Sequence, residues 1–482
     1  MTAKLDKLTG GSLEKLGLLN DRHLEQAAAC MQQIAGSGIE TVRVLFADQH
    51  GILRGKTIVA DAFASLFDTG ICVPNTLLLK DTSHRTVFPV WTEEAAGLPA
   101  GAADLLLVPD PSTFRRLPWS DHSAWIFCTP TNRNGSPLPL ATRSILQNAI
   151  GRLDATGRTL KVGLEVEFQV FAVANDRLDH AAVGMPGQAI ETRNTTQGYQ
   201  LLTELLYDQA EPLLDDLRRT AQAMNLPVRS MEVEMGPSQY EFTFDPARPM
   251  EHADNMVMFR TMVKEVCARK GLHATFMCKP NLPKAAANGW HIHQSLCSSS
   301  GENLMLPARD GAISQDSSAW IAGLLEHAEA SCLLTTPTVN GYKRYQPHQL
   351  APDRMVWGWD NRGAMIRGLM APGNETSRIE NRVAEPAANP YLVFASQILC
   401  GLDGLERGLS APEPVETPYM DGAKQLPDSL ISAIGHFESS QFYRTALGDG
   451  FVDYLAKIRR AEWDRYHQTV SNWEQSEYFN LY

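Results

Sequence analysis

The alternation of apolar and polar residues near the N-terminus predicts a β-hairpin. Val42, Val44 and Phe46 occupy every second position, the following Asp48-Gln-His-Gly51 has the composition of a turn, and residues 55–59 return as a second strand. Because successive side chains of a strand point to opposite faces, this pattern gives each strand one face for burial.

A small N-terminal domain is predicted around this hairpin. The apolar spacing of residues 22–35 predicts a leading helix that ends at Gly36-Ser-Gly. Prolines divide residues 60–127 into short segments, which is typical of a β-rich fold. We therefore predict a first domain over residues 1–130 and a second over residues 131–482.

The second part of the chain predicts one large α+β domain, because strand patterns and long helical patterns occur in it together. A helix beginning at Thr142 precedes an apolar strand over residues 161–171. Longer helices are predicted at residues 200–224, 249–270, 316–334, 390–408 and 450–472. With 482 residues, 44% of them hydrophobic, the chain is long enough to bury a large core.

Two glutamates, Glu165 and Glu167, lie one residue apart inside the apolar strand. Residues at this spacing share one face of a strand, so both carboxylates point the same way. Two like charges on a buried face are costly unless a cation neutralises them, which favours a divalent metal. The alternative is one exposed and one paired carboxylate on an edge strand.

Three further segments supply polar residues that would line the same sheet face. They contain His291 and His293, then Arg378, Glu380 and Arg382, and finally Glu234 and Glu241 on either side of a Gly-Pro turn. Taken alone, the two histidines would more often be imidazoles packed in the core or lying at the surface, and the alternating arginines and glutamate a solvated ladder of ion pairs. Taken together, carboxylates with one imidazole favour Mg²⁺ or Mn²⁺ over a structural zinc.

Charge and cysteine usage exclude some classes of function. The net charge is −12 without a cluster of Lys or Arg, which argues against a nucleic-acid partner. No apolar run approaches 18 residues, which argues against a membrane span. The eight cysteines contain no C-x-x-C pair, so we predict reduced thiols and a cytoplasmic location.

The polar segments, in this order, resemble the glutamine synthetase family. The resemblance extends from about Ile39 to Tyr478 and includes Asn340-Gly-Tyr-Lys-Arg344, Trp357-Gly-Trp-Asp-Asn-Arg362 and Asn389-Pro-Tyr-Leu392. It implies an N-terminal β-grasp domain beside a catalytic domain with a curved antiparallel sheet. It also implies a homo-oligomer, a dodecamer of two hexameric rings, with active sites between subunits.

In this family ATP phosphorylates the γ-carboxylate of L-glutamate, and an amine then displaces the phosphate. The resemblance implies two or three Mg²⁺ or Mn²⁺ ions in each site. One ion would be held beside glutamate by Glu165, Glu234 and Glu241. A second, bridging the ATP phosphates, would be held by Glu167, His291 and Glu380.

The resemblance also assigns the remaining polar residues of the site. Residues implied to bind glutamate or the transferred phosphate are Arg344, Arg362 and Arg382, with Gly289 beside the glutamate backbone. Residues implied to bind the nucleotide are His293, Ser295, Arg367 and Arg378. Arginine suits these tasks because its planar fork pairs with carboxylate and phosphate in a bidentate manner.

Two departures from the family pattern concern the amine. Ammonia-using members carry a glutamate where this chain has Leu350, and an Asp-Gly-Ser-Ser stretch where it has Cys72-Val-Pro-Asn-Thr-Leu77. A desolvated ammonium without anionic partners is costly, so these losses favour an organic amine against an apolar wall at Leu350. Alternatively, Leu350 only packs its loop, and His348 or Gln349 accepts the proton.

The hypothesis that follows is an ATP-dependent ligase that makes γ-glutamylamides from alkylamines or arylamines in amine catabolism. One alternative is an ammonia-using glutamine synthetase with a rearranged loop. Another is a ligase acting on polyamines or ethanolamine. A catalytically inactive structural relative is disfavoured, because such a protein has no need to keep six costly metal ligands.

Overall fold

The computed structural model describes residues 8–91, 97–98, 101–176, 178–346, 350–419 and 422–482. Its strands are β1 (Thr41–Ala47), β2 (Leu53–Val59), β3 (Ile71–Pro74), β4 (Asp104–Arg116), β5 (Ser123–Asn132), β6 (Arg158–Asn175), β7 (Glu191–Asn194), β8 (Val228–Val233), β9 (Gln239–Phe244), β10 (Leu272–Thr275), β11 (Trp290–Ser298), β12 (Trp357–Trp359), β13 (Ile366–Leu369) and β14 (Arg378–Asn381).

The α-helices surround these strands, so the predicted α+β class is confirmed. They are α1 (Ser12–Lys15), α2 (Asp21–Ile34), α3 (Phe63–Thr69), α4 (Thr142–Asp154), α5 (Glu204–Ala223), α6 (Pro249–Arg269), α7 (Gln315–Glu326), α8 (Ala328–Thr335), α9 (Pro390–Arg407), α10 (Leu430–Ser439), α11 (Gln441–Leu447), α12 (Asp449–His467) and α13 (Asn472–Tyr478). In the described ranges no helix is both long and apolar enough to cross a bilayer.

The first sheet has the strand order β2-β1-β5-β4-β3. The predicted hairpin is confirmed, with Thr41 opposite Val59 and Ala47 opposite Leu53. Strand β1 also runs parallel to β5, while the other pairs are antiparallel. Helix α2 packs on β4 through its buried face. The β-grasp assignment and the domain boundary at residue 130 stay predictions; β5 runs to Asn132.

The second sheet carries all four polar segments. Its strand order is β12-β13-β14-β11-β6-β9-β8, and β7 and β10 pair with the other end of β6. Apart from the parallel pair β12–β13, the strands are antiparallel. The long strand β6 therefore brings both of its neighbours, β11 and β9, alongside the glutamate pair.

One face of this sheet is packed on helices, and the other face is left for polar side chains. Val166 and Phe168 of β6 are fully buried, and the Phe168 ring lies 5.7 Å from Phe259 of helix α6. Because side chains alternate along β6, Glu165 and Glu167 project from the opposite face. The hydrophobic core thus fixes the direction of the carboxylates.

The turn of the N-terminal hairpin packs against helix α6 and the start of α9. Asn389 Nδ2 donates to Asp48 O over 3.0 Å, and Arg260 Nη2 donates to Gly51 O over 2.9 Å. Gly51 has φ +72°, and a Cβ there would lie 3.0 Å from Asn389 Cα. A residue with a side chain would therefore be strained and crowded at this contact.

The predicted helices are confirmed within a few residues, with two exceptions. The single helix predicted over residues 316–334 is wrong, because two helices meet at His327. There the imidazole Nε2 lies 2.7 Å from Asp403 Oδ2, and its ring stacks on Phe442. The helix predicted to residue 472 ends at His467, and α13 follows it. Helices α1, α3, α10 and α11 were not predicted.

Candidate active site

Strand register places the predicted metal ligands in rows across the second sheet. His291 lies opposite Glu165, and Glu241 lies opposite Glu167. On the next strand pair, Glu380 lies opposite His293. Residues directly opposite one another in an antiparallel pair share a face, so the sheet brings these side chains together. This common face is the candidate active site.

Glu165 is the centre of this arrangement. Its Oε2 lies 3.2 Å from His291 Nδ1, and its Oε1 lies 2.6 Å from His293 Nε2. Arg378 Nε donates to His293 Nδ1 over 3.0 Å, so His293 carries its proton on Nε2 and donates to Glu165. Although burial alone raises the pKa of Glu165, the hydrogen bonds from both histidines lower it well below its usual value.

In contrast to Glu165, Glu234 and Glu241 have raised pKa values. Burial, and then the nearby charge of Glu167, raise the pKa of Glu234 to about 7. The same two causes, in the same order, raise the pKa of Glu241 to about 10. These carboxylates repel one another and lack sufficient cationic partners among the described residues, which is the environment that a divalent cation relieves.

Two groups of ligand atoms lie close enough to hold one ion each. The first comprises Glu165, Glu241 and His291, and the second comprises Glu165, His293 and Glu380; within each group the atoms lie within 4.8 Å of one another. Carboxylate oxygens with imidazole nitrogens suit Mg²⁺ or Mn²⁺. The donor set therefore fits the metals that the sequence predicts.

The division of the glutamates between two ions stays a prediction. Glu165, which was expected beside Glu234 and Glu241, contacts His291 and belongs both to the group with Glu241 and to the group with Glu380. Glu167, which was expected beside His291 and Glu380, lies opposite Glu241 in register. The charge of Glu167 is also the largest one acting on Glu234 and on Glu241, so we propose that Glu165 and Glu167 exchange places between the two ligand sets.

Two arginines hold the fully buried Glu380. Arg367 Nη1 donates to Glu380 Oε2 over 3.0 Å, and Arg382 Nη1 donates to Glu380 Oε1. Burial raises the pKa of Glu380, but the charges of His291 and Arg382 lower it below its ordinary value. Arg367, predicted at the nucleotide, also pairs with Asp360 over 2.5 Å. The buried carboxylate is thus kept ionised and oriented.

Arg344 and Gly289 meet beside Glu167. The Arg344 guanidinium donates to the carbonyl oxygens of Arg382, Val383 and Ala384 over 2.8–3.1 Å. A Cβ on Gly289 would lie 2.9 Å from Arg344 Nη2 and 3.2 Å from Glu167 Oε1. Only glycine fits between these groups without displacing one of them. Gly289 therefore allows the backbone to approach both Arg344 and Glu167 at the predicted glutamate site.

A cavity of about 630 Å³ opens from the carboxylate cluster. Three of the four residues predicted to bind nucleotide, namely His293, Ser295 and Arg378, line it together with Glu165. The cavity is large enough for a nucleotide. Its other lining residues include three that sequence analysis missed: Lys161, Arg229 and Glu232.

Of these three missed residues, Glu232 has a recognisable spacing in the sequence. Glu232 precedes Glu234 by two positions, the same spacing as Glu165 and Glu167, and it lies opposite Glu241. Lys161 and Arg229 have no motif around them. Their place on the cavity wall depends on tertiary packing.

The predicted amine loop is only partly described. Leu350 is 58% exposed with φ +55°, and its carbonyl oxygen lies 3.4 Å from Arg382 Nη2. The alternative proton acceptors His348 and Gln349 lie outside the described residues. Arg362 is exposed, and its charge acts on Asp360. Leu350 is therefore tied to the carboxylate cluster through Arg382 and Glu380.

The catalytic-domain model of glutamine synthetase matches residues 139–478. The chain belongs to the glutamine synthetase family. This confirms the resemblance inferred from the polar segments.

Relatives named for γ-glutamylanilide and γ-glutamylethanolamide synthesis are among those similar to this chain. The chain is 37% identical to the γ-glutamylanilide synthase of an Acinetobacter species, over 100% of both chains. It is 32% identical to a γ-glutamylethanolamide synthetase of Streptomyces coelicolor, over 92% of this chain and 93% of the relative. The structure of apo GmaS without ligand matches with a TM-score of 0.79 at 27% identity, covering 94% of this chain and 99% of that one.

Proposed function

We propose that this protein is an ATP-dependent ligase that joins the γ-carboxylate of L-glutamate to a primary organic amine through γ-glutamyl phosphate. The single observation on which the choice of amine rests is the full-length likeness to a γ-glutamylanilide synthase. The carboxylate and imidazole cluster on one sheet face supplies the site for phosphoryl transfer. In this proposal the ligase acts in the catabolism of amines.

The metal ions in this proposal are two or three Mg²⁺ or Mn²⁺. Glu165, His291 and Glu380 would hold one ion, and Glu167, Glu234 and Glu241 another. When bound, such ions neutralise phosphate and carboxylate oxygens so that two anions can react.

The chain's own arginines orient the reacting groups. Arg378 fixes His293 at the cavity wall, where the triphosphate would lie, and Ser295 lines the same wall. Arg344 presents its guanidinium beside Gly289, where it would receive the glutamate carboxylate. We assign Arg362 and Arg382 to the charge that develops on the transferred phosphate, which fixed cationic groups stabilise.

The amine step favours substrates that arrive uncharged. Alkylamines are largely protonated at neutral pH and must lose a proton before they attack the acyl phosphate, whereas arylamines are already largely neutral. In a chain without the glutamate and aspartate of ammonia users, the rate of the amine step would fall least with an arylamine. This chemistry supports arylamines, followed by alkylamines, as the substrate class.

The assembly in this proposal is a dodecamer of two hexameric rings with active sites between subunits. Exposed apolar residues at the C-terminal end support association, because large apolar side chains rarely cluster on a monomer's surface. They include Val470, Trp473, Phe479, Leu481 and Tyr482, each at least 63% exposed.

The substrate proposal predicts faster turnover with organic amines than with ammonium. Phosphate release from ATP would be measured with L-glutamate and Mg²⁺ or Mn²⁺, across aniline, isopropylamine, methylamine, ethanolamine, putrescine and ammonium. We expect kcat/KM for the best organic amine to exceed that for ammonium at least about tenfold, or about 1.4 kcal/mol. Ammonium as the best substrate would instead identify an ammonia-using glutamine synthetase.

Metal affinity is expected to rise with pH. The raised pKa values of Glu234 and Glu241 mean that these carboxyls are protonated near neutrality in the metal-free protein, so an incoming ion must displace protons. Each displaced proton makes affinity about tenfold tighter per pH unit below the group's pKa. Calorimetric titration with Mn²⁺ at pH 6 and pH 7 should show this increase.

The variant Glu234→Gln provides the control for this pH dependence. It removes the group whose pKa lies near 7 and should therefore reduce the slope between pH 6 and pH 7, while the proton on Glu241 still contributes to it. A parent protein whose Mn²⁺ affinity is the same at both pH values would contradict the assignment of Glu234 and Glu241 as ligands.

A further inference from the structure

Gln239 is a buried amide that joins three segments of the candidate site. It is 2% exposed at the start of β9. Its Oε1 accepts from Gly236 N over 2.8 Å, within the turn that follows Glu234. Its Nε2 lies 3.1 Å from Glu167 Oε2, and 2.9 Å from both Asn288 Oδ1 and Ala287 O.

These contacts fix one oxygen of Glu167 and leave the other available. Glu167 Oε2 accepts from Gln239 Nε2 and also from Gly289 N over 2.9 Å. Glu167 Oε1 lies 3.9 Å from His291 Nε2, on the side of the ligand cluster. A carboxylate with two donors on one oxygen cannot rotate without breaking both hydrogen bonds.

The hydrogen bonds also oppose the repulsion within the cluster. Glu167 lies opposite Glu241, which itself lies opposite Glu232, so three carboxylates form one cross-strand row. Once the protons of this row are displaced, like charges lie directly opposite one another, which destabilises a sheet and favours side chains that turn apart. The two donors on the far oxygen of Glu167 hold this carboxylate in the row.

We propose that Gln239 is a positioning residue that holds Glu167 and the Glu234 turn ready to receive a metal ion. This inference rests on the proposed metal site and adds a residue with no place in the ligand set. Gln239 acts through Glu167, because its amide nitrogen donates to the oxygen that faces away from the ligand cluster.

The chain offers a matched control in Gln169. It lies directly opposite Gln239 in register and is equally buried, at 0% exposure. Its Nε2 donates to Ala286 O over 3.3 Å. None of its hydrogen bonds to described residues involves a carboxylate, so Gln169→Ala removes the same side chain from the adjacent position without releasing Glu167.

The test is Mn²⁺ binding to the nucleotide-free protein, measured by titration calorimetry, together with the Mn²⁺ dependence of turnover. Gln239→Met keeps the volume but has no donor, and Gln239→Ala removes both. We expect both to weaken Mn²⁺ binding roughly 10- to 100-fold, the usual effect of losing a residue that orients a metal ligand. Saturating Mn²⁺ should restore much of kcat, and Gln169→Ala should bind within about twofold of the parent.

The outcomes separate this inference from the proposed function. Unchanged Mn²⁺ affinity in Gln239→Met would overturn the role of Gln239 while leaving the metal site intact. Equal losses in Gln169→Ala and Gln239→Met would also overturn it, because general loosening would then explain the effect. If the parent protein binds no Mn²⁺, the metal site and the positioning role fall together.

Discussion

Replacing Glu165 by alanine is expected to abolish ligase turnover, with kcat/KM for the best amine falling at least about 10³-fold, or about 4 kcal/mol. Glu165 belongs to both groups of ligand atoms and contacts both His291 and His293. Its loss would remove a ligand of the ion proposed to lie between Glu165, His291 and Glu380, and would release the imidazole of His293 that Arg378 orients. Phosphate release with saturating ATP, L-glutamate and Mn²⁺ would measure the effect.

Two further variants make this result specific. Glu165→Gln keeps the volume and removes the charge, so it should lose nearly as much activity as alanine. Glu191 is exposed on β7, opposite Asn175 at the far end of the same strand β6, and Glu191→Ala should remain near parental activity. Substantial turnover by Glu165→Ala would contradict the metal site, and altered assembly alone would favour a structural role.

The elements with strong local patterns could be predicted from sequence. The alternation at Val42, Val44 and Phe46 gave the hairpin, and long apolar periodicity gave helices α2, α5, α6 and α9 within about four residues. The break at His327 could not be predicted, because it depends on contacts with Asp403 and Phe442, which are distant in the sequence. Tertiary contacts override local propensity there.

One missed boundary did have a local signal. Ser471-Asn-Trp-Glu474 is a capping-box sequence, and the Ser471 side chain caps the backbone of Glu474. It separates α13 from α12, which the predicted helix over residues 450–472 had partly merged. Apolar periodicity alone therefore overestimates the length of α12, and the capping residues mark where the next helix begins.

The candidate site was predictable as a set but not as an arrangement. Spacing alone places Glu165 and Glu167 on one face, because side chains alternate along any strand. Which neighbour each glutamate meets depends on register, and register placed His291 opposite Glu165 and Glu241 opposite Glu167. Nothing in the residues around position 239 shows that one amide joins three segments.

Replacing Leu350 by glutamate is expected to shift the substrate preference from organic amines toward ammonium. The Leu350 carbonyl oxygen lies 3.4 Å from Arg382, which binds Glu380, so the backbone at position 350 is tied to the cluster. A hydrogen bond between charged groups contributes roughly 1.5–3 kcal/mol, which corresponds to a gain of about 10- to 100-fold in kcat/KM for ammonium. The same charge replaces the apolar wall, so kcat/KM for the best organic amine should fall about tenfold.

Leu350→Gln separates charge from shape in this experiment. Leucine, glutamine and glutamate all carry a Cβ, so the backbone cost of φ +55° is common to all three proteins. Glutamine has nearly the size of glutamate but cannot supply an anionic acceptor. Leu350→Gln should therefore lower kcat/KM for the organic amine without raising kcat/KM for ammonium. The ratio of kcat/KM for ammonium to that for the best organic amine would be measured for all three. If Leu350→Glu leaves that ratio within about twofold of the parent, below the roughly tenfold effect of one charged hydrogen bond, then Leu350 only packs its loop and amine choice is set by other residues.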